Sequence, residues 1–378
     1  MTNQIGFFHS VVDGSHGSSG KGAVSTRLVD ILGVRNASSC NYDNAGHTSI
    51  VDGVKFVAHA LPTSAILKKV RGYPLKLWIG PNSGLVMSRL EKEMAETGYF
   101  DGDNDFNVHA RAGITEQRHV DMESPGGVWS TEWLSSTMSG SGATFADKAM
   151  RSQQFKSAQD ILKRTLQPMD FMRAVRNEMD CGKSFIHEVS QGFALSLDYG
   201  TTWKQSTFRN CTAQQAYADM CITPEYVGDV YLNLRSLPIR VGSNFRDGKQ
   251  TGYAGDFMPD QTELTWEQVA EMAEMPTGEA AKLRAREFTT CTHKLRRVAT
   301  FSDQLLRDAA ESCGATKLVL NFPQYIHYSA LDVRGGHAAF NTLHPKVRAF
   351  VDHLEDVANL PVVMVCTGAS HDSFIWRG

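Results

Sequence analysis

The chain has 378 residues, of which 42% are hydrophobic and 21% charged, and its formal net charge is −3 at pH 7. This balance is typical of a globular protein with a large core, and it gives no sign of the basic surface that a nucleic-acid partner requires. The seven cysteines form no Cys-x-x-Cys pair and no stretch approaches ~18 apolar residues, so we expect no disulfide framework, zinc site, leader or membrane span, and a reducing, cytoplasmic location.

Strands alternate with helices along the chain. The first strand is expected over residues 5–12, and a glycine-rich turn then leads into a helix with apolar residues three and four positions apart. Further strands are predicted at 75–80, 183–189, 237–242, 316–322 and 360–368, and helices at 84–97, 145–164, 265–284 and 303–313. This order indicates an α/β fold with a mostly parallel central sheet flanked by helices. We expect one domain over residues 1–378, with 101–142 as an excursion at the active site and 243–263 as a surface loop.

The turn after the first strand is predicted to bind phosphate. Its residues Gly20, Lys21 and Gly22 open a helix, whose free N–H groups and dipole attract anions. The turn departs from the common Gly-x-x-x-x-Gly-Lys-Ser/Thr loop, because Ser15 stands five residues before Gly20 and Gly22 replaces the hydroxyl residue. A second polar stretch, Asn44 to Thr48, contains His47 and suits either a polar ligand beside a phosphate or an ordinary polar turn.

Six islands of sequence resemble the adenylosuccinate synthetase family in the same order. They span nearly the whole chain: GSSGKG through NAGHTS to KFVAHALPTSAIL (17–67), STMSGSGATFADKAMR (136–151), HEVSQGFALSLDYGTT (187–202), IRVGS (239–243), EFTTCTHKLRRVATF (287–301) and CTGAS (366–370). That family joins aspartate to C6 of a purine nucleotide after a nucleoside triphosphate has phosphorylated O6. The resemblance implies a P-loop-related α/β fold, a Mg²⁺ cofactor and a homodimer.

One position departs from the family in a way that concerns the substrate. Ser18 occupies the place of the family's catalytic aspartate, and a neutral hydroxyl is a poor base near pH 7. A serine also leaves space for the amino group that guanine carries at C2 and hypoxanthine lacks. The chain therefore resembles the bacteriophage branch of the family, which acts on dGMP and yields N6-succino-2-amino-2′-deoxyadenylate. The alternative interpretation of Ser18 is a homologue without catalytic activity.

A second departure concerns the triphosphate. The family recognises the guanine of GTP through an aspartate, whereas this chain has Asn321 and Gln324 in that region. Loss of the acid removes the group that selects guanine, so ATP or dATP is the expected phosphoryl donor. The alternative is that the loop is realigned and another acid reads guanine.

The remaining roles follow from the resemblance, position by position. We assign catalysis to Ser18, Lys21 and His47, with Gly46 and Ser18 near Mg²⁺. The residues expected to bind dGMP are Ser18, Asn44, Ser136, Thr137, Arg151 (from the partner subunit), Gln191, Ser206, Thr207 and Val241. Those expected to bind ATP are Ser19, Gly20, Lys21, Gly22, Gly46, His47, Thr48, Arg296, Asn321, Gln324 and Gly368. Those expected to bind L-aspartate are Thr290, Thr292, Lys294 and Arg296.

Three functions therefore remain open from the sequence. The first is a ligase that condenses L-aspartate with dGMP, driven by ATP or dATP. The second is an ordinary adenylosuccinate synthetase that uses IMP and GTP, and the third is a nucleotide-binding homologue without activity.

Overall fold

The computed structural model describes residues 5–289 and 294–378. Its strands, numbered in chain order, are β1 (Phe8–Asp13), β2 (Asn36–Ser39), β3 (His47–Val51), β4 (Val54–Ala58), β5 (Lys76–Ile79), β6 (Gly84–Leu85), β7 (Phe106–Val108), β8 (Gly113–Ile114), β9 (Phe185–Glu188), β10 (Val227–Arg235), β11 (Ile239–Arg240), β12 (Asn244–Arg246), β13 (Lys249–Gly252), β14 (Glu263–Leu264), β15 (Arg297–Ala299), β16 (Lys317–Asn321), β17 (Val362–Cys366) and β18 (Phe374–Trp376). Its α-helices are α1 (Lys21–Ile31), α2 (Ile66–Arg71), α3 (Met87–Thr97), α4 (Gln117–Glu123), α5 (Ser141–Ala149), α6 (Pro168–Asp180), α7 (Ala213–Met220), α8 (Trp266–Met272), α9 (Thr277–Arg286), α10 (Asp303–Cys313), α11 (His337–Phe340) and α12 (Pro345–Ala358).

A nine-stranded sheet forms the centre of the fold. Its strand order is β18-β17-β16-β10-β1-β9-β2-β5-β7, and every pair is parallel except β17 with β18. Strand β1 lies near the middle, where Asp13 is level with Asn233 of β10 and Val11 is level with Glu188 of β9. The carboxyl ends of these strands therefore meet at one edge, where ligands of open α/β sheets bind. The expected mostly parallel α/β fold is confirmed.

Helices cover both faces of this sheet, because apolar side chains of the central strands point alternately to one face and to the other. Val12 packs in a core with α6, α7, α10 and α12, whereas its neighbour Val11 packs in a second core with α1, α2 and α3. Successive residues of a strand point to opposite faces, so a strand buried on both sides reads as a continuous apolar run. A third, smaller core, around Trp266 and Val298, lies under β11, β14 and β15, which form a separate three-stranded sheet.

Several predicted elements differ from the structure. The helix expected at 145–164 is wrong beyond Ala149, because Arg151 turns the chain with a φ of 55° and only a short 3₁₀ turn follows at Ala158–Asp160. The helix expected at 265–284 is two helices, α8 and α9, since Pro276 cannot continue the first. Residues 84–85 form strand β6 before α3 begins at Met87.

The region around 237–263 also departs from the prediction. The strand expected at 237–242 is only Ile239–Arg240, and it belongs to the small sheet and not to the central one. The surface loop expected at 243–263 contains the β12–β13 hairpin. The excursion expected at 101–142 has β7, β8 and α4 in it, and its last twenty residues contribute to the cavity described below.

Candidate active site

The glycine-rich turn connects β1 to α1 at the carboxyl edge of the sheet. Gly20 stands at the start of α1 with a φ of 86°, a conformation that glycine adopts at little cost, and no side chain caps the helix. The first N–H groups of α1 are therefore available to an anion. Ser18 lies at the tip of the turn, exposed to solvent, with a left-handed backbone (φ 54°).

A buried carboxylate supports this turn from below. Asp13, at the end of β1, accepts hydrogen bonds from the backbone N–H of Ser15 at 2.7 Å and from the hydroxyl groups of Ser15 (2.9 Å) and Ser19 (2.5 Å). Asn233 of β10 donates to the Ser19 hydroxyl at 2.6 Å and itself accepts a bond from Asn321 of β16 at 2.5 Å. The turn is therefore tied to three adjacent strands. The sequence analysis did not identify Asp13 as a site residue, although its position at the end of the first strand indicated one.

Ser18 and Lys21 are also held by neighbouring elements. The guanidinium of Arg235, at the end of β10, donates to the Ser18 carbonyl at 3.0 Å. The Lys21 ammonium is 4% exposed and donates to the carbonyl of Gln191 at 2.9 Å, so it joins the turn to the loop after β9. Gln191 itself has a positive φ of 59°. Strained backbone at a non-glycine residue persists where the surroundings hold it in place.

His47 lies against the fully buried carboxylate of Glu188, with its Nδ1 atom next to Oε1 of that carboxylate. The other carboxylate oxygen of Glu188 accepts from the Thr63 hydroxyl at 2.7 Å and from the Thr63 N–H at 3.2 Å. Burial acts to raise the pKa of Glu188, but His47, Thr63 and Lys21 outweigh it and lower this pKa to about 2. Glu188 is therefore ionised and fixes the orientation of the His47 ring.

The close packing around Gly22 explains why the second residue of α1 is a glycine and not a hydroxyl residue. A Cβ atom at this position would lie 2.8 Å from Cγ2 of Thr63 and 3.0 Å from Cβ of His47. The start of α1 can approach the His47–Glu188 pair only because this residue lacks a side chain. Gly46 is similarly close to His59, whose Cε1 would lie 3.2 Å from an added Cβ.

A cavity of about 560 Å³ opens beside the turn. Seven of the residues expected to bind the nucleotide monophosphate line it: Asn44, Ser136, Thr137, Gln191, Ser206, Thr207 and Val241. The Gly-Ser-rich segment around residues 131–142 forms one wall and the segment 203–208 another. Glu123 is the carboxylate among the described lining residues, and both its oxygens accept N–H groups at the start of α5, from Gly140 and Ala143, at 2.9 Å.

Two residues of the cavity wall were missed by sequence reasoning. His16 is 6% exposed and its Nε2 lies 3.4 Å from the hydroxyl of Thr201. Arg240, 2% exposed, donates at 2.9 Å to the carbonyl of Ala254 and at 3.0 Å to that of Asp256, and no carboxylate lies within salt-bridge distance of it in the described part of the chain. Burial and Arg297 lower the pKa of Arg240 to about 10. Only the family motif IRVGS drew attention to this segment.

Other predicted site residues lie outside this cavity. Arg151 is exposed, next to the exposed Met150, and is absent from the cavity wall. Arg296 pairs with Glu287 at 3.3 Å, whereas Lys294 lines a second cavity of about 540 Å³ and contacts the side chain of Asn244.

The remaining predicted residues are partly engaged within the fold. Asn321 is 5% exposed and directed at Asn233 under the turn. Gln324 is half-buried, and its Oε1 has no partner in the described residues. Thr48 follows His47 in β3, and the Gly368 carbonyl accepts a bond from Arg27 at 2.9 Å. Thr290 and Thr292 lie outside the described residues.

Two features are absent from residues 5–289 and 294–378. These residues contain no helix long and apolar enough to cross a membrane. They also contain no group of three or more His, Cys, Asp or Glu side chains that could hold a metal ion.

Comparison with known proteins agrees with this architecture. A model of the adenylosuccinate synthetase family matches residues 152–323. The adenylosuccinate synthetase of Pyrococcus horikoshii is 28% identical over 374 residues, which cover 97% of each chain. The N6-succino-2-amino-2′-deoxyadenylate synthase of Vibrio phage phiVC8 is also 28% identical, over 324 residues that cover 84% of this chain and 85% of the phage protein.

The fold is shared with the succinoaminodeoxyadenylate synthetase of cyanophage S-2L, a structure with bound dGMP and dATP. The TM-score is 0.77 at 23% sequence identity, over 98% of this chain and 95% of the phage protein. The turn at the start of α1, the His47–Glu188 pair and the neighbouring cavity are thus parts of a fold that this chain shares with that phage protein. The chain is therefore similar to adenylosuccinate synthetases over nearly its whole length, and this similarity supports a ligase that forms carbon–nitrogen bonds.

Proposed function

We propose that this ligase condenses L-aspartate with dGMP at C6, using ATP or dATP, and releases N6-succino-2-amino-2′-deoxyadenylate, the nucleoside diphosphate and phosphate. The observation that carries the proposal is the serine at position 18, where the family has an aspartate. Ser18 stands exposed at the tip of the turn, and the one carboxylate among the described lining residues of the cavity, Glu123, is bound to backbone N–H groups. A purine with an amino group at C2 therefore meets no free carboxylate in this cavity. The phage relatives with this activity or these ligands support the same substrate.

The first chemical step is phosphoryl transfer to the guanine O6. Loss of the N1 proton makes O6 nucleophilic, and O6 then attacks the γ-phosphorus while the bond to the diphosphate breaks. The main requirement of this step is stabilisation of the negative charge on the phosphates. Lys21 and the N-terminus of α1 supply that stabilisation. His47, whose Nδ1 is held by Glu188, presents Nε2 to the transferred group and stabilises it as a hydrogen-bond donor.

In the second step the amine of aspartate attacks C6 and phosphate leaves. Lys294 and Arg296 carry the positive charge expected to hold the aspartate carboxylates, with Thr290 and Thr292 beside them.

Ser18 lies nearest N1 and C2 of the base in this proposal and relays the N1 proton of the first step through water. The nucleotide itself is held by Asn44, Ser136, Thr137, Gln191, Ser206, Thr207 and Val241.

The donor set fits Mg²⁺ only in a site completed by substrate. The described residues offer no carboxylate cluster, Asp13 is fully buried among the serines of the turn, and Ser18 supplies a hydroxyl. Mg²⁺ commonly keeps few protein ligands and binds phosphate oxygens. Ser18 and the Gly46 carbonyl are the protein groups that would hold it here, and the ion would supply charge neutralisation of the phosphates.

We propose ATP or dATP as the donor because no acid stands at positions 321–324 to accept the N–H groups of guanine. Gln324, whose Oε1 has no partner in the described residues, is better suited than Asn321 to accept a hydrogen bond from the adenine amino group. The side chain of Asn321 is already bonded to Asn233 under the turn. Gly46, Thr48 and Gly368 would complete the nucleotide site.

A homodimer is proposed with Arg151 reaching the neighbouring subunit's 5′-phosphate site, which is consistent with its exposure and its absence from the cavity wall of its own chain. The single domain over residues 1–378 stays a prediction. Mixing Arg151→Ala with an inactive Lys21→Ala variant tests the dimer, since recovered activity requires that a residue be donated between subunits.

Phosphate release measured over a matrix of dGMP, GMP, dIMP and IMP against ATP, dATP and GTP tests the function. We expect aspartate-dependent release with dGMP and an adenine triphosphate. Release with IMP and GTP alone would favour an ordinary adenylosuccinate synthetase. No release in any combination would favour a binding protein without catalysis.

A further inference from the structure

His16 combines two properties that bear on ligand binding. It forms part of the wall of the 560 Å³ cavity with only 6% of its surface exposed, and its Nδ1 atom has no hydrogen-bonding partner within the described residues. Buried polar atoms without a partner cost free energy and call for an explanation. His16 also stands two residues before Ser18, on the same turn.

The surroundings of His16 hold its ring in place. Phe257 packs edge-on against the ring, with centroids 6.1 Å apart and an interplanar angle of 87°. Nε2 faces the hydroxyl of Thr201 at 3.4 Å, the one polar side chain that it contacts in the described structure.

A neutral imidazole has one N–H and one acceptor nitrogen. If the proton is on Nε2, where the Thr201 oxygen can accept it, Nδ1 is an unused acceptor. Of the purine monophosphates that the family's chemistry concerns, guanine nucleotides carry a donor at C2, whereas hypoxanthine nucleotides carry only a C–H there. The orphaned acceptor and the extra donor are complementary.

We infer that His16 is a specificity-determining residue that accepts a hydrogen bond from the 2-amino group of the purine through Nδ1. The inference rests on the proposed function and adds to it: Ser18 provides the space for the amino group, and His16 recognises that group. A site built to bond a polar substituent rejects the analogue that lacks it, because a buried acceptor then stays unpaired.

The test compares kcat/KM for dGMP and for dIMP, which differ only in the 2-amino group, in wild type and in two variants. His16→Leu removes the acceptor, and His16→Asn places an amide oxygen near the position of Nδ1. We expect His16→Leu to lower the ratio of the two kcat/KM values by about 10-fold to 100-fold, and His16→Asn to retain most of it. An equal loss for both substrates, or an unchanged ratio in His16→Leu, would overturn the inference.

A measurement on the unaltered protein keeps the test decisive if His16→Leu does not fold. With ¹⁵N-labelled histidine, binding of dGMP should shift the Nδ1 resonance of His16, assigned through the His16→Asn spectrum, and dIMP should leave it in place. The same shift with both nucleotides would contradict the inference. Wild type that turns over dIMP but not dGMP would instead defeat the proposed function, so the two failures are distinguishable.

Discussion

The Glu188→Gln substitution tests whether the buried carboxylate behind His47 contributes to catalysis. The replacement preserves shape but removes the charge that faces His47, Thr63 and Lys21. Glutamine also brings an NH₂ group to a place where two donors, the His47 ring and the Thr63 hydroxyl, already point. We therefore expect the orientation of the His47 ring to be lost while the sheet stays intact.

The size of the effect follows from the pKa of Glu188. Its fall from 4.5 to about 2 corresponds to about 3 kcal/mol of interaction between the ionised carboxylate and its surroundings. If this interaction is made chiefly with a His47 that stabilises the transferring phosphoryl group, kcat should fall about 100-fold. The KM for the triphosphate should change less than kcat, because the hydrogen bond from Lys21 to the Gln191 carbonyl and the N-terminus of α1 stay in place.

The assay is steady-state phosphate release with saturating aspartate, together with the midpoint of urea unfolding. A double variant provides the control: Glu188→Gln in a His47→Ala background should cause no further loss of kcat, since the two residues act as one unit. A kcat within threefold of wild type, at unchanged stability, would refute the reasoning. Additive losses in the double variant would show that Glu188 acts independently of His47.

Three further results are expected. Ser18→Asp should lower kcat/KM for dGMP about 10-fold or more relative to dIMP, whereas Ser18→Ala, which keeps the space, should spare the KM for dGMP; equal effects of the two changes would argue against crowding at C2. Gly20→Ala should weaken triphosphate binding measured by calorimetry, because its φ of 86° is strained for alanine and the new Cβ would lie 3.1 Å from Oδ1 of Asn321; Gly33→Ala, also at positive φ but with open space around it, is the matched control and should leave binding unchanged. Burial lowers the pKa of the fully buried His187 to about 4. Between about pH 6.5 and pH 4, His187 therefore binds a proton in the unfolded chain but not in the folded chain. The free energy of unfolding should then fall by up to about 3 kcal/mol between pH 6.5 and pH 4, and the fall should be smaller in His187→Gln; the same slope in both proteins would exclude His187 as its source.

Much of the fold could be predicted from the sequence because buried parallel strands leave a simple pattern. The strands at β5, β9, β16 and β17 and the helix α10 all lie within the predicted ranges. The central strand β10 was missed, since Asp229, Asn233 and Arg235 interrupt its apolar run. Two of these interruptions are parts of the site: Asn233 and Arg235 reach the glycine-rich turn. The pattern of hydrophobicity failed where the strand carries side chains needed at the edge of the sheet.

The site was predicted in part for a related reason. Short motifs such as GSSGKG and NAGHT marked groups that are local in sequence, including Lys21 and His47. Pairs that form across the fold left no such mark, because Glu188 is 141 residues from His47 and Asn321 is 88 residues from Asn233. His16 was overlooked since a single buried histidine has no motif, and only the cavity around it made its unpaired nitrogen informative.

The chain of bonds from Asp13 through Ser19 and Asn233 to Asn321 has a mechanical consequence. It fastens the glycine-rich turn to three parallel strands, so the turn is held rigidly against the central sheet. The segments 131–142 and 203–208, which also line the cavity, have no strand pairing with the central sheet in the described structure and so lack this support.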